Sequence, residues 1–458
     1  MSASALPGSD DTIAAIATAP GRGAIAIVRL SGSRATEVAS RVIPAFDTDT
    51  PRVSHLTEIR HPTDGTLLDE ALVTLFRRPH SYTGEDVVEI SVHGGAVVPS
   101  IVLAALIAAG ARQALPGEFT RRAVANGRMD LLQAEAVADL IDARSRMAHQ
   151  VALSQLEGGL SRRIADLRNA ILDLEALMAY DIDFPEEDEG SLDRYRVTDA
   201  LDRTVNALEG LLATGDTGEM VRTGALVVIG GAPNAGKSSL FNALVGRERA
   251  IVTEIPGTTR DAIEAVVEVR GWPVRLVDTA GLRESTDMVE RLGIEISERY
   301  LADADVVLLC AEVSDELARL LQRSRTITST LVIPVLTKVD LRPVSVESGS
   351  STPFVHVSAV TGAGIDTLTE RISSSLEERF ARGADDAPLL TRERHREAVT
   401  AARAELVAFR DAWVINDPPS SVAAIHLRAA AHHLGELIGS IDVEDVLGRV
   451  FSTFCVGK

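Results

Sequence analysis

The chain has 458 residues, of which 45% are hydrophobic and 24% are charged, and its formal net charge at pH 7 is −20. This length predicts two or three soluble domains, because one hydrophobic core rarely serves so many residues. The negative charge excludes loose, sequence-blind binding to nucleic acid, so a nucleic-acid partner would need a local basic patch.

The first half of the chain predicts two different segments. Over residues 1–126, the strand-like runs AIAIVRL, ALVTLF and VVEISV are separated by Gly and Pro turns, and PSIVLAALIAAG has the pattern of an apolar helix. This combination predicts a small α+β domain. Over residues 127–223, long stretches of period 3.6 are interrupted by the acidic turn DFPEEDEG. They predict a helical bundle, or half of one.

The second half predicts an α/β domain followed by more helices. Over residues 224–382, helical patterns alternate with the apolar runs ALVVIG, VRLVDTAG, DVVLLCAEV, TLVIPVLTK and FVHVSA. This alternation is typical of a parallel sheet wrapped by helices. Helical patterning returns over residues 383–458. The simplest architecture inserts the α/β domain into the helical one, so that residues 127–223 pack against residues 383–458.

A phosphate-binding motif lies at the start of the α/β segment. VVIGGAPNAGKSSLFNAL reads as a strand, a Gly-rich turn and a helix, and it matches G-x-x-x-x-G-K-[ST] with Gly231, Gly236, Lys237 and Ser238. The backbone N–H groups of the turn and the helix N-terminus would bind phosphates. Lys237 would reach the β- and γ-phosphate oxygens, and Ser238 would hold Mg²⁺. The motif predicts a nucleoside triphosphate site.

The motifs that follow indicate guanine as the base. LVDTAG ends a strand with Asp278, TKVD contains Lys338 and Asp340, and SAVTGAG supplies a further turn. Asp340 can accept hydrogen bonds from the two donors of guanine, whereas an ATPase, which is the alternative, gives Asp340 no role. Thr337 stands where Asn is usual and Val360 where Lys is usual. The order of the motifs resembles the translation-factor-related G proteins and predicts an inserted, Ras-like P-loop GTPase domain.

The residues expected to contact GTP come from these motifs and from the loop that contains PGTTRD. They are Asn234, Ala235, Gly236, Lys237, Ser238, Ser239, Thr253, Glu254, Ile255, Pro256, Gly257, Thr258, Thr259, Asp278, Thr279, Ala280, Gly281, Thr337, Lys338, Asp340, Ser358, Ala359 and Val360.

The sequence also indicates that the water that attacks GTP is not oriented by the usual glutamine. Ras-like proteins orient this water with a Gln directly after the D-x-x-G motif, and Leu282 occupies that position here. Asn234 in the P-loop is either an ordinary turn residue or a ligand for a monovalent cation. Together with Leu282 and the TEIPGTTRD loop, it favours a cation that stabilises charge in the transition state.

The whole chain resembles the bacterial tRNA-modification GTPase family called MnmE or TrmE. The resemblance runs from DTIAAIATAPGRGAIAIVRLSG through SYTGEDVVEISVHGG and LPGEFTRRAVANGRMDLLQAEAVADLIDA to FCVGK. It implies that Asn234, Thr253, Ile255 and Thr258 bind K⁺ and that Ser238 and Thr259 bind Mg²⁺. It further implies that two G domains pair when K⁺ is bound and that Glu290 orients or activates the water. Read without the family, Glu290 is a solvated acid on a helix.

The resemblance also implies a folate-binding, dimer-forming N-terminal domain. Residues that match contacts of a formyl-tetrahydrofolate derivative are Arg29, Glu89, Arg128 and Lys458. From the residues alone, Arg29 and Arg128 read as surface residues. Lysine occurs only at Lys237, Lys338 and Lys458, and this scarcity agrees with a role for the tail. Cys455 could be a nucleophile, a redox-sensitive thiol or an inert tail residue.

The partners implied by the family complete the prediction. The family forms homodimers that assemble with the flavoprotein MnmG (GidA) as a heterotetramer, and it modifies the wobble uridine of certain tRNAs. The resemblance implies that FAD lies on the partner, and the lack of a G-x-G-x-x-G fingerprint after a strand in this sequence is consistent with that. One alternative is a ribosome-assembly or RNA-binding GTPase switch without modification chemistry. Another is a stand-alone folate aminomethyltransferase, but that function would leave the GTPase motifs unexplained.

The expected location is the cytoplasm. No apolar run approaches the roughly 18 residues of a membrane span, and the first residues lack the features of a signal peptide. The two cysteines, Cys310 and Cys455, cannot build a disulfide framework. Cys310 ends the run DADVVLLC, which predicts a buried strand residue.

Overall fold

The computed structural model describes residues 11–183, 194–247, 263–278, 303–327, 330–341, 354–380, 388–413, 420–439, 454 and 457. The chain divides into two compact units, one made of residues 1–138 with 438–458 and the other of residues 139–437.

The first unit is an α+β structure, as the sequence predicted. Its strands are β1 (Ile13–Ile16), β2 (Ile25–Ser31), β3 (Ser54–Arg60), β4 (Leu67–Phe76), β5 (Val87–His93) and β6 (Arg112–Gln113). Its helices are α1 (Ala35–Val42), α2 (Val98–Ala108), α3 (Glu118–Ala125) and the first part of α4 (Leu131–Asp142). The six strands form one sheet in the order β3-β4-β5-β2-β1-β6. Neighbouring strands are antiparallel except for β1 and β6, which are parallel.

The two faces of this sheet differ in character. Side chains alternate between the faces along each strand, so Val28 and Leu30 join the core beneath α1 and α2. On the opposite face, Ile13 packs with Phe119 of α3. Arg29 alternates with Val28 and Leu30 along β2 and therefore lies on the α3 face.

An ion-pair network connects α3 to the end of the sheet. Arg112 donates two hydrogen bonds to Glu118, at 2.7 and 3.0 Å, and Arg122 donates a third at 3.1 Å. The amide of Leu115 donates a fourth to Glu118, at 2.8 Å. Burial by itself raises the pKa of Glu118, but the bonds from Arg112 and Leu115 outweigh it, and the pKa lies below its usual value. The network therefore stabilises the fold with Glu118 ionised.

We expect Glu118→Gln to destabilise the protein at pH 7 by about 2 kcal/mol, because it removes the carboxylate that Arg112 and Arg122 share and leaves them only their second partners, Asp11 and Glu85. A lowered pKa in the folded state contributes stability that is present above the unfolded pKa, near 4.5, and is lost as the pH falls through the folded pKa. The variant should therefore lose less stability than the wild type between pH 5 and about 3. Urea unfolding over this pH range measures both effects.

Glu37→Gln is the matched control. Glu37 also lies in the first turn of a helix and also binds two arginines, Arg34 and Arg41, but its side chain is 47% exposed. Exposed pairs contribute little. An equal loss of stability in the two variants would contradict the role given to the network at Glu118.

The second unit combines a helical part with a second sheet. Its helices, after the end of α4, are α5 (Arg146–Leu156), α6 (Gly159–Asp183), α7 (Arg194–Leu212), α8 (Gly215–Thr223), α9 (Lys237–Arg247), α10 (Ser314–Ile327), α11 (Ile365–Phe380), α12 (Glu393–Asp411) and α13 (Ser420–Leu437). Its strands are β7 (Ala225–Gly231), β8 (Ile263–Val269), β9 (Trp272–Asp278), β10 (Val306–Ala311), β11 (Leu331–Leu336) and β12 (Val355–His356).

Four long helices form a bundle. Helix α6 contacts α7 and α13, and α12 contacts α7 and α13, which closes a ring of four. Ile171 of α6, Leu208 of α7 and Phe409 of α12 are completely buried. Helices that precede the α/β segment in the chain thus pack against helices that follow it. None of the helices that the structure describes is both long and apolar enough to cross a membrane.

The second sheet has the order β12-β11-β10-β7-β9-β8. Its strands are parallel, as predicted, except that β8 is antiparallel to β9. Nearly every residue of β7 and every residue of β10 is buried, since helices cover both faces of a parallel sheet. The carboxyl ends of β7, β9, β10, β11 and β12 meet at one edge, where ligands bind in this type of fold.

Candidate functional site

The turn between β7 and α9 has the backbone of a phosphate-binding loop. Gly231 has a φ of +134°, and a Cβ atom there would lie 2.0 Å from the carbonyl oxygen of Cys310, so only glycine fits. Asn234 and Gly236 also have positive φ, at 59° and 74°. Helix α9 begins directly afterwards at Lys237. Its first N–H groups therefore face the turn, as anion binding requires.

Lys237 is held over this turn. Its ammonium donates hydrogen bonds to the carbonyl oxygens of Ala232, at 2.7 Å, and Gly231, at 3.3 Å, and the residue is 7% exposed. Ser238 and Ser239 follow it on the first turn of α9 and are exposed. The ammonium is placed to exchange these carbonyl contacts for phosphate oxygens.

Asp278 is completely buried at the carboxyl end of β9. A carboxylate there and the hydroxyl of Ser238 are hard oxygen donors, so their chemistry fits Mg²⁺.

Burial raises the pKa of the Cys310 thiol to about 12, while Lys237 lowers it and Asp278 raises it. Cys310 is thus a neutral, buried strand residue, as the sequence predicted.

Thr337 holds the base-binding loop against the P-loop. Its hydroxyl lies 2.7 Å from the carbonyl oxygen of Ala235 and 3.2 Å from that of Ala311, and the residue is 6% exposed. The hydroxyl therefore links the end of β10 and the loop after β11 to the phosphate-binding turn. Its direct contact with guanine stays a prediction.

Asp340 lies on the short 3₁₀ turn Val339–Leu341 and is exposed. The hydroxyl of Ser358, which is completely buried, donates a hydrogen bond of 2.5 Å to Asp340 Oδ1. This bond orients the carboxylate and leaves its other oxygen available to a ligand. Ala359 is half-buried beside it, and Val360 is 85% exposed.

Lys338 has an acidic partner that sequence reasoning did not identify. Its ammonium donates to the carbonyl oxygen of Asn234 at 2.8 Å and forms an ion pair with Glu312, the first residue after β10. The sequence signal for Glu312 is an acidic residue directly after the apolar run VVLLCA. Such an acid also occurs as an ordinary turn residue, so the pattern alone does not identify it.

Several predicted site residues lie outside the described residues. They are residues 253–259 and 279–281, together with Leu282, Glu290, Cys455 and Lys458.

A second group of predicted residues lies on the α3 face of the first sheet. Arg29 and Glu89 are directly opposite on β2 and β5, and they form an ion pair of 2.8 Å. The guanidinium of Arg29 lies 5.1 Å from the ring centre of Tyr82 and 5.7 Å from that of Phe119. Arg29 is not the surface residue that its sequence position suggested, because its side chain is 16% exposed.

The C-terminal tail reaches the same group. Arg29 Nη1 donates to the carbonyl oxygen of Gly457 at 3.4 Å. Gly457 has a φ of +103°, and a Cβ atom there would lie 2.5 Å from the carbonyl oxygen of Ile16. Arg128 is exposed nearby and donates to the carbonyl oxygen of Ser81 at 3.1 Å. Tyr82, Phe119 and Gly457 are the members of this group that sequence reasoning missed.

The phosphate-binding turn, the buried Asp278 and the two base-binding loops define a P-loop GTPase. Comparisons with known proteins agree. A family model described as "MnmE helical domain" matches residues 131–455, and one described as "GTP-binding protein TrmE N-terminus" matches residues 12–128. The chain belongs to the MnmE family of tRNA modification GTPases.

Two relatives named tRNA modification GTPase MnmE are similar to this chain over nearly its full length. The tRNA modification GTPase MnmE of Moorella thermoacetica is 43% identical over 466 residues, which cover 98% of this chain and 100% of the relative. That of Aquifex aeolicus is 42% identical over 450 residues, with 98% and 100% coverage. Among solved structures, the G domain of the T. maritima FeoB iron transporter is 31% identical and covers 33% of this chain and 98% of its own, with a TM-score of 0.27.

Proposed function

We propose that this GTPase is activated by potassium and works with the flavoprotein MnmG (GidA), which carries FAD. Together they would convert the wobble uridine of certain tRNAs to a 5-carboxymethylaminomethyl or aminomethyl derivative, with a one-carbon unit from folate. The observation that supports the potassium requirement is the position of Asn234, whose exposed side chain lies on the phosphate-binding turn.

In the proposed nucleotide site, Lys237 binds the β- and γ-phosphates and Asp340 binds guanine. Ser238 and Thr259 would hold Mg²⁺, which neutralises charge on the phosphate oxygens when it is bound. Asn234, Thr253, Ile255 and Thr258 would hold K⁺, which places positive charge beside the phosphates. Asn234 fits this role because its amide oxygen is a neutral, hard donor on an exposed turn. Glu290 orients the attacking water.

We propose four segments for these tasks. Residues 1–126 bind folate and form a homodimer, and residues 127–223 with 383–458 form the helical domain. Residues 224–382 form the inserted G domain, which pairs with its copy in the dimer. The dimer would assemble with MnmG as a heterotetramer in the cytoplasm and act on tRNA.

Arg29, Glu89, Arg128 and Lys458 would hold a 5-formyl-tetrahydrofolate derivative, which supplies the one-carbon unit when it is bound. The described residues fit this ligand, since a carboxylate such as Glu89 suits the donor edge of a pterin and arginines suit folate carboxylates. The rings of Tyr82 and Phe119 add apolar surface beside Arg29. Cys455 is kept as a candidate nucleophile or redox-sensitive thiol.

We expect GTP turnover to rise about tenfold when K⁺ replaces Na⁺ at equal ionic strength, because the cation stabilises charge that develops only in the transition state. Asn234→Ala should abolish this rise and leave GDP affinity near that of the wild type. Phosphate release measured in KCl and in NaCl tests both expectations.

Asn242→Ala is the control, since Asn242 is an exposed asparagine on α9, away from the turn. It should keep the full response to K⁺. Equal rates of the wild type in the two salts would contradict the potassium requirement, and a response retained by Asn234→Ala would contradict the role of Asn234.

A further inference from the structure

Glu312 connects the loop after β10 to the base-binding loop after β11, through an ion pair with Lys338. It follows β10, whose six residues are all buried, and its side chain is 30% exposed. Its carboxylate binds the Lys338 ammonium, and that ammonium also binds the carbonyl oxygen of Asn234 at 2.8 Å. The loop after β10, the base-binding loop and the P-loop therefore meet at a single ammonium group.

The rest of the Lys338 side chain lies along the P-loop. A Cβ atom on Gly236 would be 3.6 Å from Lys338 Cε and 3.9 Å from Cγ, which is ordinary van der Waals contact. Lys338 itself has a φ of +56°, a conformation that non-glycine residues rarely adopt. Both ends of the side chain are thus constrained, with the backbone in the left-handed region and the ammonium between a carboxylate and a carbonyl.

We propose that Glu312 is a positioning residue for guanine nucleotide binding. It holds Lys338 against the P-loop before the nucleotide binds. The proposal rests on the assignment of Lys338 and Asp340 to the base-binding loop. Guanine bound by Asp340 would lie beside the methylene groups of Lys338. When Glu312 fixes these groups, they form an apolar surface for the base before it binds. A free lysine would lose much of its side-chain freedom on binding, and this loss weakens affinity.

Glu312→Gln keeps the size of the side chain and removes its charge. We expect it to raise the Kd for GDP about fivefold, as the loss of a partly exposed ion pair permits. KM for GTP should rise by a similar factor, while kcat at saturating GTP and the melting temperature stay unchanged. Titration with a fluorescent GDP analogue at low ionic strength measures the Kd.

A double-mutant cycle distinguishes positioning from general stabilisation. Lys338→Met removes the ammonium and keeps an unbranched stem. If Glu312 acts through Lys338, adding Glu312→Gln to Lys338→Met should change the Kd for GDP less than twofold. Asp315→Asn is the control, since Asp315 is an exposed carboxylate in the first turn of α10 and has no contact with Lys338 among the described residues. It should leave the Kd unchanged.

The outcomes separate this proposal from the one on which it rests. If Lys338→Met left GDP binding unchanged, both the base-binding assignment and the role of Glu312 would be wrong. If Lys338→Met weakened binding and Glu312→Gln did not, only the role of Glu312 would be wrong. Equal effects of Glu312→Gln in the presence and absence of the ammonium, with a lower melting temperature, would show a structural role instead.

Discussion

Replacement of Asp340 by asparagine is expected to reverse the base preference from guanine to xanthine nucleotides. A carboxylate accepts hydrogen bonds from the N1–H and the 2-amino group of guanine, whereas xanthine presents a carbonyl oxygen at position 2. The Ser358 hydroxyl donates to Oδ1 of residue 340. In the variant, this bond should hold the amide oxygen toward Ser358 and direct the NH₂ group toward the base.

The expected loss of GTP affinity is about 100-fold, because the 2-amino group of guanine would meet an amide NH₂ group and remain unpaired. XTP affinity should rise by a comparable factor. Competition between GDP and XDP for a bound fluorescent analogue measures both changes.

Asp366→Asn is the matched control for this experiment. Asp366 lies in the first turn of α11 and pairs with Arg247 at 2.7 Å, and its side chain is 74% exposed. The same loss of charge there should leave base preference unchanged. If Asp340→Asn lowered the affinity for GTP and XTP alike, Asp340 would be a structural residue and base recognition would lie elsewhere.

The second large effect is expected at Gly457. A Cβ atom at this residue would lie 2.5 Å from the carbonyl oxygen of Ile16 and 2.9 Å from Ala17 Cα, and its φ is +103°. Backbone atoms cannot move aside as a flexible side chain can. Gly457→Ala should therefore release the tail and remove the bond from Arg29 to the Gly457 carbonyl oxygen.

We expect Gly457→Ala to weaken tail docking by about 2 kcal/mol, roughly 30-fold, from the clash and the positive φ together. Amide hydrogen exchange of the C-terminal peptide should accelerate by this factor. Under the proposed function, binding of 5-formyl-tetrahydrofolate should weaken as well, which isothermal titration calorimetry measures. GTP turnover should be unchanged.

Gly95→Ala, in the loop after β5, is the control for an alanine at a positive φ away from the tail. Gly95 has a φ of +114°, and nothing lies within 4 Å of a Cβ atom built there. This variant carries the conformational cost without the clash. If the two variants had equal effects on exchange of the tail, the close approach to Ile16 would not be what holds it. If the tail were released and folate still bound with wild-type affinity, the tail would not belong to the folate site.

The elements predicted from sequence are those with a strong periodic signal. The apolar runs that became β7, β10 and β11 are strands buried on both faces, and their composition alone indicates a parallel sheet. The antiparallel edge strand β8 was missed. It pairs with β9 across a tight turn at Arg270 and Gly271, whose φ values are 49° and 94°. The turn lacks the Asn-Gly or Asp-Gly pair that usually predicts a hairpin.

The motifs predicted the residues of the nucleotide site better than the contacts among them. Lys237 and Asp278 follow from local spacing, and the structure places them at the carboxyl edge of the sheet. The pairing of Lys338 with Glu312 joins residues in the loops after two different strands, β11 and β10, so spacing does not reveal it. Arg29 looked like a surface residue because its partners, Glu89 and Gly457, are distant in sequence.

The four-helix bundle has a consequence for synthesis of the chain. Helices α6 and α7 are complete at residue 212, but their partners α12 and α13 begin only at residue 393. Ribosomes add roughly 5–20 residues per second, so the intervening residues take on the order of 10 to 40 s to emerge. During that interval apolar residues of α6 and α7 such as Ile171 and Leu208, which are completely buried in the finished protein, lack the cover that α12 and α13 later provide. The nascent polypeptide is therefore open to aggregation, and chaperones that shield apolar helices should raise its folding yield.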